Sequence, residues 1–308
     1  MQPVHSISLD ALQEGRPRSG EQARAWCARL EAGAVLYFPE TPLPIPAQDQ
    51  DFLLGSSQTE STLHKNIAYK PAQDKLSGMD AQADDTTTER LATFMRWYSS
   101  SVTSFLSGFL APYRQGWLLD YASFRPIEED GRDLPKHRRN DLLHTDAFPT
   151  RPTRGRRILR FFHNIHPTRT RDWMVGEPFT QILGQFTPGK LAMPVSNGTL
   201  TRAAKSLASA TGLAKIAPRW KRTPYDQFMH ELHNAMKEDE QFQRDCVRHS
   251  FQFAPGSSWM VYTDTVPHAV LAGQFALEQT FLVDPAATVN PSTAPVAVLE
   301  KLAGARLV

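Results

Sequence analysis

Apolar positions along the chain follow two periods. Over residues 88–110, Leu91, Phe94, Met95, Tyr98, Val102, Phe105, Leu106 and Phe109 recur at spacings of three and four. This predicts one long helix with a core-facing stripe that buttresses a sheet. Ala23, Trp26 and Leu30 predict a shorter helix over 21–33, with Gly33 where a C-terminal cap belongs. Further helices are expected over 200–213 and 224–245, and a weakly amphipathic one over 295–308. The last has three open roles: docking on the domain, joining a homo-oligomer, or lying on a membrane.

Extended runs make up the rest of the pattern. Residues 34–38, 64–71 (as an edge strand), 117–126, 157–165, 250–253, 259–262, 264–273 and 276–283 are short and rich in branched and aromatic residues, with Gly and Pro at their ends. Strands of this length and spacing suggest an all-β barrel or jelly roll. Residues 39–50, with four prolines, read as a loop, and 51–54 as a short helical turn. Residues 73–87 read as a mobile loop, 127–140 as a flexible flank, and 166–200 as irregular.

Composition removes some functions. The chain has 308 residues with 34 Lys+Arg against 32 Asp+Glu, which argues against a globally basic nucleic-acid binder. Local clusters differ: 132–171 is dense in arginine, and 202–222 carries Arg202, Lys205, Lys215, Arg219, Lys221 and Arg222. Such surfaces suit an anionic substrate or an anionic membrane face. Cys27 and Cys246 offer neither a disulfide framework nor a cysteine zinc site. Residues 1–20 lack a signal-peptide core, and no run approaches the roughly 20 apolar residues of a membrane span. A cytoplasmic, soluble or peripherally bound protein is expected.

The chemistry concentrates in 141–149, which reads Asp-Leu-Leu-His-Thr-Asp-Ala-Phe-Pro. In an extended segment residues i and i+2 share a face, so His144 and Asp146 can reach one metal ion. His268, in the later Val-Pro-His-Ala-Val run, is the candidate third ligand. Two imidazoles and one carboxylate leave open positions that suit non-haem Fe(II), with room for a chelating 2-oxo acid and dioxygen. The distal carboxylate of such an acid needs a cation in a dry pocket. Arg160 lies within an apolar strand, where an arginine is costly to bury without an anionic partner. It is therefore the leading anchor, with Asn164 on the same face. His230, Glu231 and His233 lack the i, i+4 histidine pairing of a zincin helix and are read as having no metal role. Two other readings stay open: a zinc hydrolase with the same ligands, and a metal-free jelly-roll module that binds sugar or membrane.

Through His144-Thr145-Asp146 and His268 the chain resembles the Fe(II)/2-oxoglutarate-dependent dioxygenases. Through 157–165 (Arg-Ile-Leu-Arg-Phe-Phe-His-Asn-Ile) and its surroundings it resembles, more narrowly, the Kdo 3-hydroxylases. The resemblance implies a double-stranded β-helix (jelly-roll) core buttressed by helices, and Fe(II), 2-oxoglutarate and O2 as cofactor and cosubstrates. It implies hydroxylation of 3-deoxy-D-manno-octulosonic acid (Kdo) at C3 on the lipid A-linked inner core, forming Ko in lipopolysaccharide biosynthesis. The implied partners are Kdo-lipid A and the anionic cytoplasmic face of a Gram-negative inner membrane. Two departures from the family pattern bear on the site. The gap from Asp146 to His268 is long, which a helical insertion at 200–245 within a single domain (1–308) would explain. The arginine usual after the distal histidine is replaced by Glu278-Gln279-Thr280. The anchor then falls to Arg160, with Arg157 and Arg125 open and Gln279 nearby. Arg125, Arg151, Arg154 and Trp173 are candidate substrate contacts.

Overall fold

The computed structural model describes residues 4–8, 20–55, 66–79, 83–187, 189–196 and 222–308. Its strands are β1 (Val4–Ser6), β2 (Val35–Phe38), β3 (Ile67–Lys70), β4 (Lys75–Ser77), β5 (Trp117–Arg125), β6 (Arg157–Asn164), β7 (Arg171–Gly176), β8 (Arg248–Phe253), β9 (Ser258–Tyr262), β10 (His268–Ala272) and β11 (Ala276–Val283). Its helices are α1 (Gly20–Glu31), α2 (Ala47–Gly55), α3 (Asp85–Phe109), α4 (Phe179–Phe186), α5 (Pro224–Glu238), α6 (Glu240–Asp245) and α7 (Pro295–Ala303). The expected helix over 200–213 and the basic residues 202–221 lie outside the described residues.

Two sheets result. The larger has the order β1-β2-β9-β6-β11-β5-β3-β4 and the smaller β10-β7-β8. Period-two alternation sorts the strand residues into layers. Leu159, Phe161, Met260, Tyr262, Leu277 and Phe281 leave the larger sheet on one side and pack on Leu91, Met95, Val102 and Phe109 of α3 and Leu30 of α1. The opposite face supplies Phe162, Trp259 and Val261, which meet Trp173, Val175 and Phe253 of the smaller sheet. Beyond the smaller sheet, Ala269 and Leu143 pack with α4, α5, α6 and α7. The order of layers is helix, sheet, sheet, helix, and the expected jelly roll with helical buttresses is the fold observed.

Several local expectations need correction. β3 is not an edge strand, because β4, formed inside the expected loop 73–87, covers it. The flank 127–140 is tied down: Glu129 accepts from Asn140, and Glu128 accepts from the Gly273 N–H. Residues 166–200 contain both β7 and α4. The expected helix 224–245 breaks at Asp239, whose carboxylate caps α6 through the Phe242 N–H. Of the tail's three open roles, the structure shows docking. Leu299 and Leu307 are buried on the domain, and Gly304 ends α7 in the left-handed conformation at φ 62°.

α5 begins sharply because Thr223 and Asp226 form a reciprocal capping box with Pro224 in the first turn. That fixes the start of a helix whose later turns reach the site described below.

One buried carboxyl outside the site gives stability a pH dependence. Asp264 Oδ2 has no hydrogen-bond partner, and burial, opposed by Arg157, pushes its pKa up from 3.8 to about 6. A folded-state value above the unfolded one favours the protonated form. Its contribution is therefore complete below about pH 4 and is lost as pH rises through 6. Asp264→Asn is expected to stabilise the protein at pH 8 by about 2–3 kcal/mol and by much less at pH 5, read from urea unfolding. Equal gains at both pH values would contradict this account of Asp264.

Candidate metal centre

The segment 140–146 is not a regular strand. It lies along the free edge of β10 and extends the smaller sheet. His144 and His268 exchange main-chain hydrogen bonds of 3.2 and 3.0 Å, and the Val270 N–H donates to Asn140 O at 2.8 Å. This bridge sets two imidazoles, 124 residues apart in sequence (268 − 144), side by side with ring centroids at 4.8 Å. The Asp146 N–H donates to Thr263 O at 2.8 Å and turns the carboxylate toward both rings.

His144, Asp146 and His268 are all buried, and their ligating atoms lie within 4.8 Å of one another. Asp146 Oδ1 is 3.8 Å from His144 Nε2, and Oδ2 is 4.0 Å from His268 Nε2. Metal–ligand bonds of roughly 2 Å each span such gaps. His144 Nδ1 lies 2.7 Å from Leu142 O, and His268 Nδ1 lies 3.1 Å from Val266 O. A carbonyl can only accept, so each Nδ1 carries the proton and each Nε2 turns a lone pair inward. Metal-binding histidines are commonly oriented this way.

Charge states also fit a cation. Burial lowers the pKa of both imidazoles and keeps them neutral. Burial alone would raise Asp146, but the Arg160 guanidinium, the largest opposing cause, holds the carboxyl well below its usual range. Asp146 Oδ2 accepts no well-formed hydrogen bond, and its buried charge is met within the protein by Arg160 Nε at 3.1 Å. Trp173 stacks on His268 at 5.3 Å and 19° and fixes the ring plane. It is almost fully buried, so this expected substrate contact is corrected to a buttress.

A chain of buried ion pairs leads away from the triad. Arg160 Nε is 3.1 Å from Asp146, and its Nη1 is 3.0 Å from Glu278. Glu278 pairs with Arg125 at 2.6 Å, Arg125 with Glu129 at 3.6 Å, and Glu129 with Arg171 at 3.6 Å. Burial lowers Arg171 to about 10. Three arginines alternate with three carboxylates along this chain, and at its outer end Arg132 reaches Glu129 at 3.9 Å.

The other expected site residues part ways here. Arg157 is on the opposite face of β6, its guanidinium 3.8 Å from the Tyr262 ring centre and bonded to Thr265 Oγ1. Asn164 donates to the carbonyls of Arg169, Phe253 and Ala254 and accepts from the His166 N–H, which holds a turn. Gln279 fills the β11 irregularity by donating to Asp120 O and Thr280 O. None of the three points at the triad, a correction of the expected cosubstrate contacts. Arg125 is committed to Glu278 and Glu129. Arg151 pairs with Asp120 and lies between the rings of Tyr121 and Phe148, at 4.0 and 4.4 Å. Arg154 donates its main-chain N–H to Asp226 from a left-handed backbone at φ 54°. Sequence reasoning missed Arg171, although its alternation with Trp173 and Val175 is the signal that exposed Arg160. His233, read from the sequence as having no metal role, stands outside the triad, with its Nδ1 2.7 Å from Thr145 O and its ring centre 5.0 Å from that of His144.

Comparison with known proteins fits this geometry. The family described as 3-deoxy-D-manno-oct-2-ulosonic acid (Kdo) hydroxylase matches residues 13–306. The chain belongs to the Kdo hydroxylase family. It is also similar to solved structures of the Kdo hydroxylase KdoO, described as a non-heme Fe(II) α-ketoglutarate dependent dioxygenase. The complex with α-ketoglutarate and Fe(III) is 32% identical with a TM-score of 0.83, covering 100% of this chain and 98% of that one. The cobalt(II) complex gives the same values, and the complex with succinate and Fe(III) gives 31% and 0.82. None of the curated proteins matches the chain. The Kdo hydroxylase structures thus hold the metal and the cosubstrate that the sequence led us to expect.

Proposed function

We propose that this chain is an Fe(II)/2-oxoglutarate-dependent dioxygenase that hydroxylates Kdo at C3 on the lipid A-linked inner core, forming Ko. The observation that carries the reading is the buried His144–Asp146–His268 triad, with both Nε2 atoms turned inward, in a chain of the Kdo hydroxylase family. When bound, Fe(II) with 2-oxoglutarate and O2 supplies the oxidising power for C–H hydroxylation, with succinate and carbon dioxide as co-products.

The protein's own part is to hold and orient. His144, Asp146 and His268 would hold the metal. The carbonyls of Leu142 and Val266 keep both imidazoles in the ligating tautomer. Trp173 fixes the plane of His268. Arg160 keeps Asp146 ionised and is the proposed partner of the 2-oxoglutarate distal carboxylate. Arg125 is the alternative, since both face the interior between the sheets. Arg160→Ala is expected to raise the 2-oxoglutarate KM by at least about tenfold and more than Arg125→Ala does. Equal increases would count against Arg160 as the anchor.

The proposed site of action is the cytoplasmic face of the inner membrane of a Gram-negative bacterium. No helix among the described residues is long and apolar enough to cross a membrane. Arg157, Arg160 and Arg171 of the arginine-rich stretch are held inside the protein, so contact with an anionic surface rests on exposed basic residues such as Arg138 and Arg154, each contributing on the order of 1 kcal/mol. The single-domain reading with an insertion over 200–245 is likewise a proposal. Succinate release tests the function: it should depend on Kdo-bearing lipid A and not occur with a neutral sugar. Release that is the same with both would overturn the substrate assignment.

A further inference from the structure

One turn past His233, helix α5 buries an ammonium group near the triad that makes no direct ion pair among the described residues, although Asp146 and Asp141 attract it from beyond contact distance. Lys237 is 4% exposed, and its Nζ makes one hydrogen bond, to His137 O at 3.3 Å. Among the described residues no carboxylate oxygen lies within ion-pair range of it. The arginines near the triad differ in each making a direct ion pair: Arg160 with Asp146 and Glu278, Arg125 with Glu278 and Glu129, and Arg171 with Glu129.

Lys237 belongs to the triad's surroundings. Positions 233 and 237 share a face of α5. That face is clasped to the His-X-Asp segment through His233 and Thr145 O, and through Thr145 Oγ1 and Met236 Sδ. The Lys237 charge acts on His144, His268 and Asp146. Burying an ammonium without a contacting counterion is costly. The helix does not need it for packing, which Phe228, Leu232 and Met236 provide. A buried cation kept beside an iron site at that cost calls for an anion that arrives with the ligand.

The substrate chemistry supplies one. In a 3-deoxy-oct-2-ulosonic acid the carboxylate carbon is joined to C2, and C2 to C3. Hydroxylation at C3 therefore brings the carboxylate to within two carbon–carbon bonds of the carbon that reacts, so it must lie next to the metal. We propose that Lys237 is the subsite for the sugar carboxylate and so positions C3 at the metal. This inference rests on the Kdo reading above and adds the residue that selects an acidic sugar. The 2-oxoglutarate carboxylates are served separately by the metal and the interior arginines.

Steady-state assays of the holoenzyme with Kdo-lipid A, and with the same lipid amidated at C1, test the proposal. The wild type should prefer the acid by at least about tenfold in kcat/KM. Lys237→Met should raise the KM for Kdo-lipid A by a similar factor and lose the preference, with the 2-oxoglutarate KM unchanged. Lys237→Arg should keep most of the preference. A methionine variant that still prefers the acid as the wild type does would overturn the proposal, as would one whose 2-oxoglutarate KM rises equally. If the methionine variant does not fold, the wild-type comparison still decides, because equal turnover of acid and amide contradicts a carboxylate subsite. Wild-type protein that turns over neither lipid would overturn the Kdo reading itself, and this inference with it. Turnover of the acid with no role for Lys237 would overturn the inference alone.

Discussion

His268→Ala is expected to abolish the charge-transfer band that Fe(II) and 2-oxoglutarate form anaerobically on the wild-type protein, and to reduce hydroxylation by at least about a thousandfold. Among the described residues the ring has no replacement: His233 is 5.0 Å from His144 between ring centres, but it lies outside the group of ligating atoms that converge within 4.8 Å. The fold should survive, because the bridge between 144 and 268 is made by main-chain atoms that alanine retains. Circular dichroism checks that point. A band of wild-type intensity in the variant would remove His268 from the ligand set.

The second large effect is on stability. Glu278 is 3% exposed and holds two arginines at once, Arg160 and Arg125. Burial alone would raise its pKa, yet the two guanidinium groups reverse that and keep it ionised. Glu278→Leu leaves both cations buried without that partner. Removing one member of a buried pair costs about 3–5 kcal/mol, and here two arginines lose a contact. Urea unfolding at neutral pH should show a loss of at least that size. Glu278→Leu combined with Arg125→Leu should recover part of it, because one orphaned charge is then gone. A loss under 1 kcal/mol would mean that the network is solvated and not a buried, matched set.

These two predictions also mark how much the sequence revealed. His144, Asp146 and His268 were legible because a metal needs ligand types in a short spacing and on strands, and both conditions are visible in the chain. Arg160 was legible because a charge in an apolar strand needs a partner. The partner was not: Glu278 entered only as the absence of an expected arginine, and nothing local in sequence shows that β11 runs between β5 and β6. Arg171 was hidden by the turn-like residues that flank β7. Lys237 was hidden for another reason. On a helix with alternating polar and apolar positions a lysine reads as solvent-facing, and only the docking of α5 on 143–145 buries it. Arg157, Asn164 and Gln279 failed as site residues because strand alternation or backbone demand had already used them.

The central claim is that the triad inserts one oxygen atom into Kdo, and product analysis tests it most directly. Purified protein would be incubated with Fe(II), 2-oxoglutarate, O2 and Kdo-lipid A, and the released sugar examined by mass spectrometry with 18O2 as the oxidant. The account predicts a gain of one oxygen on the Kdo unit at C3, labelled from O2, with one succinate formed per sugar. Sugar left unmodified while the triad is loaded with iron and 2-oxoglutarate would contradict it.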